Sequence, residues 1–508
     1  MDEGTTSTEL AAPGVLRALP VAMAWYVVGL IGLVLAPGTD GTRDNRNWLL
    51  SLACLGFGLY VFWSHGGPRI TAVGIYSFAF ALFVGFSAVY QLVLPDPTAL
   101  DFLHPALVCA YFGQVTTWLL FWTTAPAGRD GPKRTPWGDR RILRTTTAIG
   151  TALTLISLAK LAVEQPAQVE PDASRISFIL DAAGFCGALL LAVGLLDRER
   201  HRPRPLAYLT PLAAFGVQIA LSTGMGRLSL GALGFALLVV MSRHARGRLL
   251  KLSVLLVSPA ALWFLASMRR READEVVSVS QNGLESVVSP LQGFATLLHM
   301  SQLSDIPLAW GRTFVAAVVG LVPRAVWPHK PDGFGSEVVT VLHPGLVGTG
   351  HSDAALFQGE WIYNFGTVGL LLMVPCAGLI VRGVDRLIVW MSERRIDGVR
   401  ALAGYGLAII VAVGMPDLMW VGTFTWVVRG GMRAIVLGTA VLAILVLLQL
   451  SARATATLHA PRVTARRPAQ PAQSGSGGPT PQRHASTFAA RQGEAARCMS
   501  TTMMDTNG

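Results

Sequence analysis

Apolar residues run through this chain in long blocks, parted by short polar stretches rather than alternating with them. Many of the blocks are about 17–25 residues long, which is what a helix needs to cross roughly 30 Å of hydrocarbon. A helix is the expected spanning form, because it satisfies its own backbone donors and acceptors where water is absent. The blocks predict spans at 15–36, 47–64, 70–94, 102–124, 145–164, 176–196, 205–222, 227–243, 250–267, 367–382, 400–416 and 432–450. The fold class that follows is an all-α polytopic membrane protein with about twelve transmembrane helices and one large extracytoplasmic loop. Its regions are nine helices (1–267), the loop (268–366), three helices (367–450) and a tail (451–508). The apolar stretch Thr313–Val322 is too short to span. It predicts a re-entrant or interfacial helix inside the loop.

Composition agrees with this pattern. The 508 residues are 52% hydrophobic and only 14% charged, against about 25% charged in a soluble domain. The net charge of +11 does not point to nucleic acid. Its arginines sit in short loops between apolar blocks, where they set membrane orientation. The basic clusters within 129–141, 198–204, 243–251 and 382–400 all fall on one side of the twelve-span count, and the charge rule makes that side cytoplasmic. The opposite loops, such as 95–101 and 165–172, are short or acidic. Both termini are then cytoplasmic, and only the triplet Arg269–Arg271 runs against the rule. The first apolar block is too long for a signal-peptide core and lacks a clear cleavage site, so it reads as a retained helix. The tail, rich in Ala, Arg, Pro and Ser, predicts a disordered basic segment. Four of the five cysteines lie inside apolar blocks and Cys498 in the tail, so no disulfide is expected. Lys160 and Asp181, in spans five and six, are costly within a membrane and predict a mutual pair.

The loop holds the polar chemistry. Residues 322–331 read V-P-R-A-V-W-P-H-K-P, where three prolines fix an extended path. That path presents Arg324, Trp327, His329 and Lys330. The cations suit diphosphate oxygens, and the indole suits the apolar face of a sugar. An interfacial belt of Trp and Lys would look the same. Residues 358–366 read Q-G-E-W-I-Y-N-F-G, directly before a span. Partial burial there suits Glu360 to general-base duty, while a helix-starting carboxylate is the plainer reading. Between the motifs lie His343, His351 and Asp353; their spacing is no strong metal signature.

Taken together, Pro-Arg-x-x-Trp-Pro-x-Lys-Pro and, about thirty residues on, Gly-Glu-x-x-x-Asn-Phe-Gly at a span's start resemble the Wzy-type oligosaccharide repeat-unit polymerases. These belong with the O-antigen ligases among bacterial surface-polysaccharide enzymes. The pattern covers roughly 205–400, and the span count covers the whole chain. The resemblance implies a GT-C-like glycosyltransferase of the bacterial plasma membrane, acting at the outer face without metal, cofactor or nucleotide sugar. Its substrates would be undecaprenyl-diphosphate-linked oligosaccharides, and a chain-length regulator is among the partners it admits. Arg324 and Lys330 match the first motif, and Glu360, Asn364 and Gly366 the second. Arg227, in S-T-G-M-G-R-L, stands where the family often has an arginine at a span's outer end, although its flanking residues depart from that pattern.

The expected division of labour follows. Arg227, Arg324 and Lys330 hold the diphosphate as its charge develops. Trp327, Tyr363 and Asn364 contact the glycan. Glu360, His351 or Asp353 takes the proton of the attacking hydroxyl. Ligase-like transfer to another acceptor shares nearly all of this chemistry. A lipid-linked-sugar transporter is the reading from another class, but such proteins usually show internal repeats and midplane sites, and none is visible here.

Overall fold

The structure is a computed structural model. It describes residues 14–34, 45–93, 102–122, 138–160, 171–198, 204–221, 227–244, 247–273, 284–303, 306–349 and 351–458. Among these residues the regular elements are all helical and there is no strand. Seven described helices are long and apolar enough to cross a membrane, so the chain is an α-helical membrane protein.

In chain order the helices before the loop are α1 (Gly14–Val34), α2 (Asn45–Ser64), α3 (Ala72–Val93), α4 (Leu103–Trp122), α5 (Arg140–Ser157), α6 (Pro171–Leu196), α7 (Pro205–Leu221), α8 (Arg227–Ser242) and α9 (Gly247–Ala273). One stretch of α3, Ala81–Phe86, winds as a π-helix. α5 and α6 lie backbone to backbone, because a Cβ on Gly150 would stand 2.7 Å from Leu191 N and one on Gly187 2.7 Å from Thr154 N. Small residues permit such approach where van der Waals contact, not water exclusion, joins helices. The pairing expected of Lys160 and Asp181 is present, at 2.9 Å.

The loop is largely helical. α9 runs into it, and α10 (Glu285–Gln302), α11 (Arg312–Val319), α12 (Phe334–Leu342) and α13 (Leu356–Phe365) follow. α14 (Val368–Glu393), α15 (Val399–Val413), the short α16 (Met415–Trp420) and α17 (Thr423–Leu458) complete the order. The apolar stretch near 313–322 forms α11, eight residues long. Its Thr313, Ala316 and Ala317 are buried, and Val315 and Val318 are exposed. The last apolar block starts nine residues earlier than its hydrophobicity suggests, as α17 begins at Thr423. By contact the chain forms one unit, Met1–Arg453, and a second, Ala454–Gly508. Of the second, only the end of α17 is described, and the tail from 459 onward lies outside the described residues.

The loops that the charge rule groups on one side do meet in space. Asp197 accepts from Arg243 at 2.8 Å and contacts His244 at 2.8 Å. Arg243 also donates to the Arg394 carbonyl, and Asp139 N donates to the Ile396 carbonyl. Arg69 pairs with Glu393, and Lys251 donates to the His65 carbonyl. One end of the bundle is therefore tied by charge.

Candidate active site

The two motifs pack through α11, but the polar groups of the second are buried while Arg324 and Trp327 of the first are exposed. Glu360, on α13, is fully buried. Its Oε1 accepts from the Thr313 hydroxyl at 3.1 Å and the Thr423 hydroxyl at 2.8 Å. Its Oε2 accepts from Thr423 N at 2.7 Å. The carboxylate thus fastens the start of α11 and the start of α17 to α13. Gly422 stands beside it at φ +111, and a Cβ there would collide with Oε2. Burial pushes the Glu360 carboxyl up to about 7, against the three donors that favour its ionised form.

Asn364, one turn along α13, is also fully buried. Its amide nitrogen donates to the Thr313 hydroxyl and to the Glu360 carbonyl, each at 2.7 Å. Its oxygen accepts from Gly311 N at 2.8 Å. Trp310 and Gly311 hold φ of +48 and +87, a turn that a non-glycine residue seldom adopts. Asn364 holds that turn in place, for its backbone carbonyl also accepts from Trp310 N. Tyr363 is buried against Phe334, ring centroids 5.7 Å apart. Burial and the Glu337 carboxylate push its hydroxyl up. Glu337, on α12, takes two donors of Arg312, whose own pKa it raises.

The first motif is a surface turn. Arg324 pairs with Asp332 and donates to the Pro328 carbonyl, while much of its side chain stays exposed. Lys330 donates to the Gly320 and Val322 carbonyls, each at 2.7 Å, and so caps the C-terminal end of α11. Burial, then the Arg324 charge, lowers its pKa. Trp327 is 43% exposed, beside exposed Val326.

Between the motifs, the Asp353 carboxylate sits between two histidines. Its Oδ1 is 3.2 Å from His351 Nε2, and its Oδ2 is 3.6 Å from His343 Nε2. The Asp353 backbone is fixed by donation to the Gly335 carbonyl at 2.9 Å. Both rings are exposed while the carboxylate is largely buried. Among the described residues no group of His, Cys, Asp and Glu has metal-holding geometry. Arg227 starts α8, and its side chain lies outside the described residues.

A further charged cluster lies outside both motifs, and nothing in the loop pointed to it. Arg429, on α17, donates to Asp417 Oδ1 at 2.7 Å. Arg433, one turn on, is 3% exposed and donates to the Ser229 hydroxyl at 3.0 Å. Its Nη1 is 3.9 Å from Asp417 Oδ2, and neither atom has a hydrogen-bond partner among the described residues. The available signal was Arg433 inside an apolar block, since ionisable groups there are costly.

No family model, curated protein or solved structure matches this chain. The resemblance of its two motifs rests on those residues alone.

Proposed function

We propose that this protein is a membrane glycosyltransferase that polymerises undecaprenyl-diphosphate-linked oligosaccharide units into a surface polysaccharide at the outer face. The observation that supports this reading best is the exposed His351 ring, oriented by the largely buried Asp353 carboxylate on a folded loop. A carboxylate behind an imidazole fixes the ring's orientation toward solvent, which suits a general base. His351 takes the proton of the acceptor hydroxyl as its oxygen attacks the anomeric carbon. The bond from that carbon to the diphosphate breaks, and the lipid diphosphate leaves with the electron pair. The exposed cations Arg312 and Arg324 stand on the same loop to meet that charge. Glu360 and Asn364, closed off from solvent, serve as positioning residues that hold the loop's shape.

The test is glycan length. Cells lacking the gene should accumulate single repeat units on the carrier lipid, and Arg324→Ala should reproduce that pattern while the protein stays folded in the membrane. Normal chain length in both would end the reading. Long polymer left on the carrier would replace it with ligase-like transfer.

A further inference from the structure

α11 is apolar on every side. From Thr313 to Val322 the chain carries no charged residue. One side of the helix, with Thr313, Ala316 and Ala317, is buried in protein, while Val315 and Val318 on the other are 53% and 78% exposed. The turn that follows adds Val326, 75% exposed, and the half-exposed Trp327. Trp310, just before the helix, is equally open. We infer that this exposed face lies in the lipid of the membrane interface, its valines among acyl chains, and seats the folded loop on the bilayer.

Depth is the first argument. Asp385, on α14, contacts His65 and accepts from Val73 N, in and beside the connection between α2 and α3, so it marks one membrane boundary. Val368, at the start of α14, is seventeen residues from it, or about 25 Å at 1.5 Å per residue. That brings Val368 close to the opposite boundary of a core roughly 30 Å thick. Ala309 N and Trp310 N donate to the Tyr363 and Asn364 carbonyls, each at 3.1 Å, which sets the first end of α11 near that level. The second end is fixed by α17. Leu321 occupies the place that a Cβ on Gly431 would take, and Gly320 stands against Val428. Gly431 lies just before the uncharged run between Arg433 and Arg453, twenty residues along the chain and about 30 Å of helix. Thr423, starting α17, donates to Glu360 on α13, so α14 and α17 start on the same side. Both ends of α11 therefore meet one boundary. The helix lies along it rather than across it, which selects the interfacial over the re-entrant form of this stretch.

Chemistry is the second argument. A helix without a polar face belongs in a core or in lipid, and among the described residues nothing covers Val315 and Val318. Tryptophan is enriched at lipid interfaces, and Trp310 and Trp327 bracket the helix. Charge stays at its ends, on Arg312 and Arg324. None of this depends on the transferase reading.

The test places a fluorophore on Val318→Cys, in a Cys498→Ser background of the full-length protein, in phosphatidylcholine vesicles. Two quenchers are compared, a nitroxide on the lipid acyl chain and iodide in the water. The parent without an introduced cysteine gives the background. Leu371→Cys gives the reference, because Leu371 is 75% exposed on α14, one turn below its start. That depth of about 5 Å matches the roughly 5–10 Å reached by the apolar face of an interfacial helix. The acyl-chain nitroxide should therefore quench the label at 318 by about half or more of its effect at 371. Weaker acyl-chain quenching would overturn the inference, and iodide then says what meets the valines. Strong iodide quenching would leave the face in water. Shielding from both quenchers would mean that a second protein surface, such as another copy of the chain, covers it. Both labelled positions are exposed, so the variants should fold as the parent does.

Discussion

Asp353 and Glu360 are seven residues apart and carry the same functional group, yet they stand in opposite situations. Glu360 lies in a closed knot, its oxygens taken by Thr313 and Thr423. Asp353 lies under two exposed histidines and orients them toward water. The first carboxylate stabilises a fold, and the second tunes a surface. The difference comes from chain geometry. α13 turns Glu360 into the contact with α11 and α17, whereas the segment before α13 is anchored to α12 through Asp353 N on the Gly335 carbonyl, which leaves the Asp353 carboxylate to the two histidines. A carboxylate's type and its nearness to a span therefore say little about whether it meets substrate.

Two substitutions break this comparison most directly. His351→Ala should slow glycan transfer about 10²–10⁴-fold, the usual worth of a general base, while thermal stability changes by less than about 0.5 kcal/mol at so exposed a site. Equal loss of transfer in a folded Glu360→Gln variant would reverse the two roles. Next in size, Glu360→Ala should destabilise the protein by on the order of 3 kcal/mol, because it leaves donors from Thr313 and Thr423 unpaired around a void. Glu360→Gln, nearly the same shape, should cost under about 1.5 kcal/mol. Differential scanning of the detergent-purified variants reads both.

The pH dependence of stability sharpens the contrast further. The folded pKa of Glu360 is raised from 4.5 to about 7. Between those values the folded state holds a proton that the unfolded state has released, so its contribution is full below about pH 4.5 and is lost as pH rises toward 7. The slope approaches about 1.4 kcal/mol per pH unit in that window. Comparing unfolding midpoints of wild type and Glu360→Gln from about pH 4.5 to 7.5 should show the slope in wild type only. Parallel curves would mean that the three donors, not burial, govern the carboxyl.

The apolar helices were legible because the bilayer imposes a length on each apolar block, and the meeting of the basic loops at Arg243 and Arg394 was legible in their shared charge. The Lys160–Asp181 pair was legible because two opposite charges on neighbouring spans lose most of their desolvation cost by meeting. The Glu360 site was not. Its partners stand 47 and 63 residues away, and a threonine hydroxyl carries no pattern until the fold brings it near. The Arg433 cluster was hidden differently. α17 extends past its apolar block at 432–450, so Arg429 belongs to a helix that hydropathy alone does not reach. Asp417 lies on α16, a six-residue helix that no periodicity betrays.

The smallest expected effect probes Lys330, which stands in both situations at once. Its ammonium has three N–H donors, and two of them meet the Gly320 and Val322 carbonyls. One donor and a shared positive charge remain for an anion. Lys330→Met deletes the cap and the charge, and should lower stability by about 1 kcal/mol, the net worth of a partly exposed hydrogen-bonded cap. Lys330→Arg keeps the charge but replaces the compact ammonium with a planar fork that fits the two carbonyls poorly. If the residue only caps α11, transfer activity should follow the folded fraction in both variants. If it also meets the diphosphate, Lys330→Met should lose activity well beyond its loss of stability, and Lys330→Arg should recover much of that activity without recovering the cap.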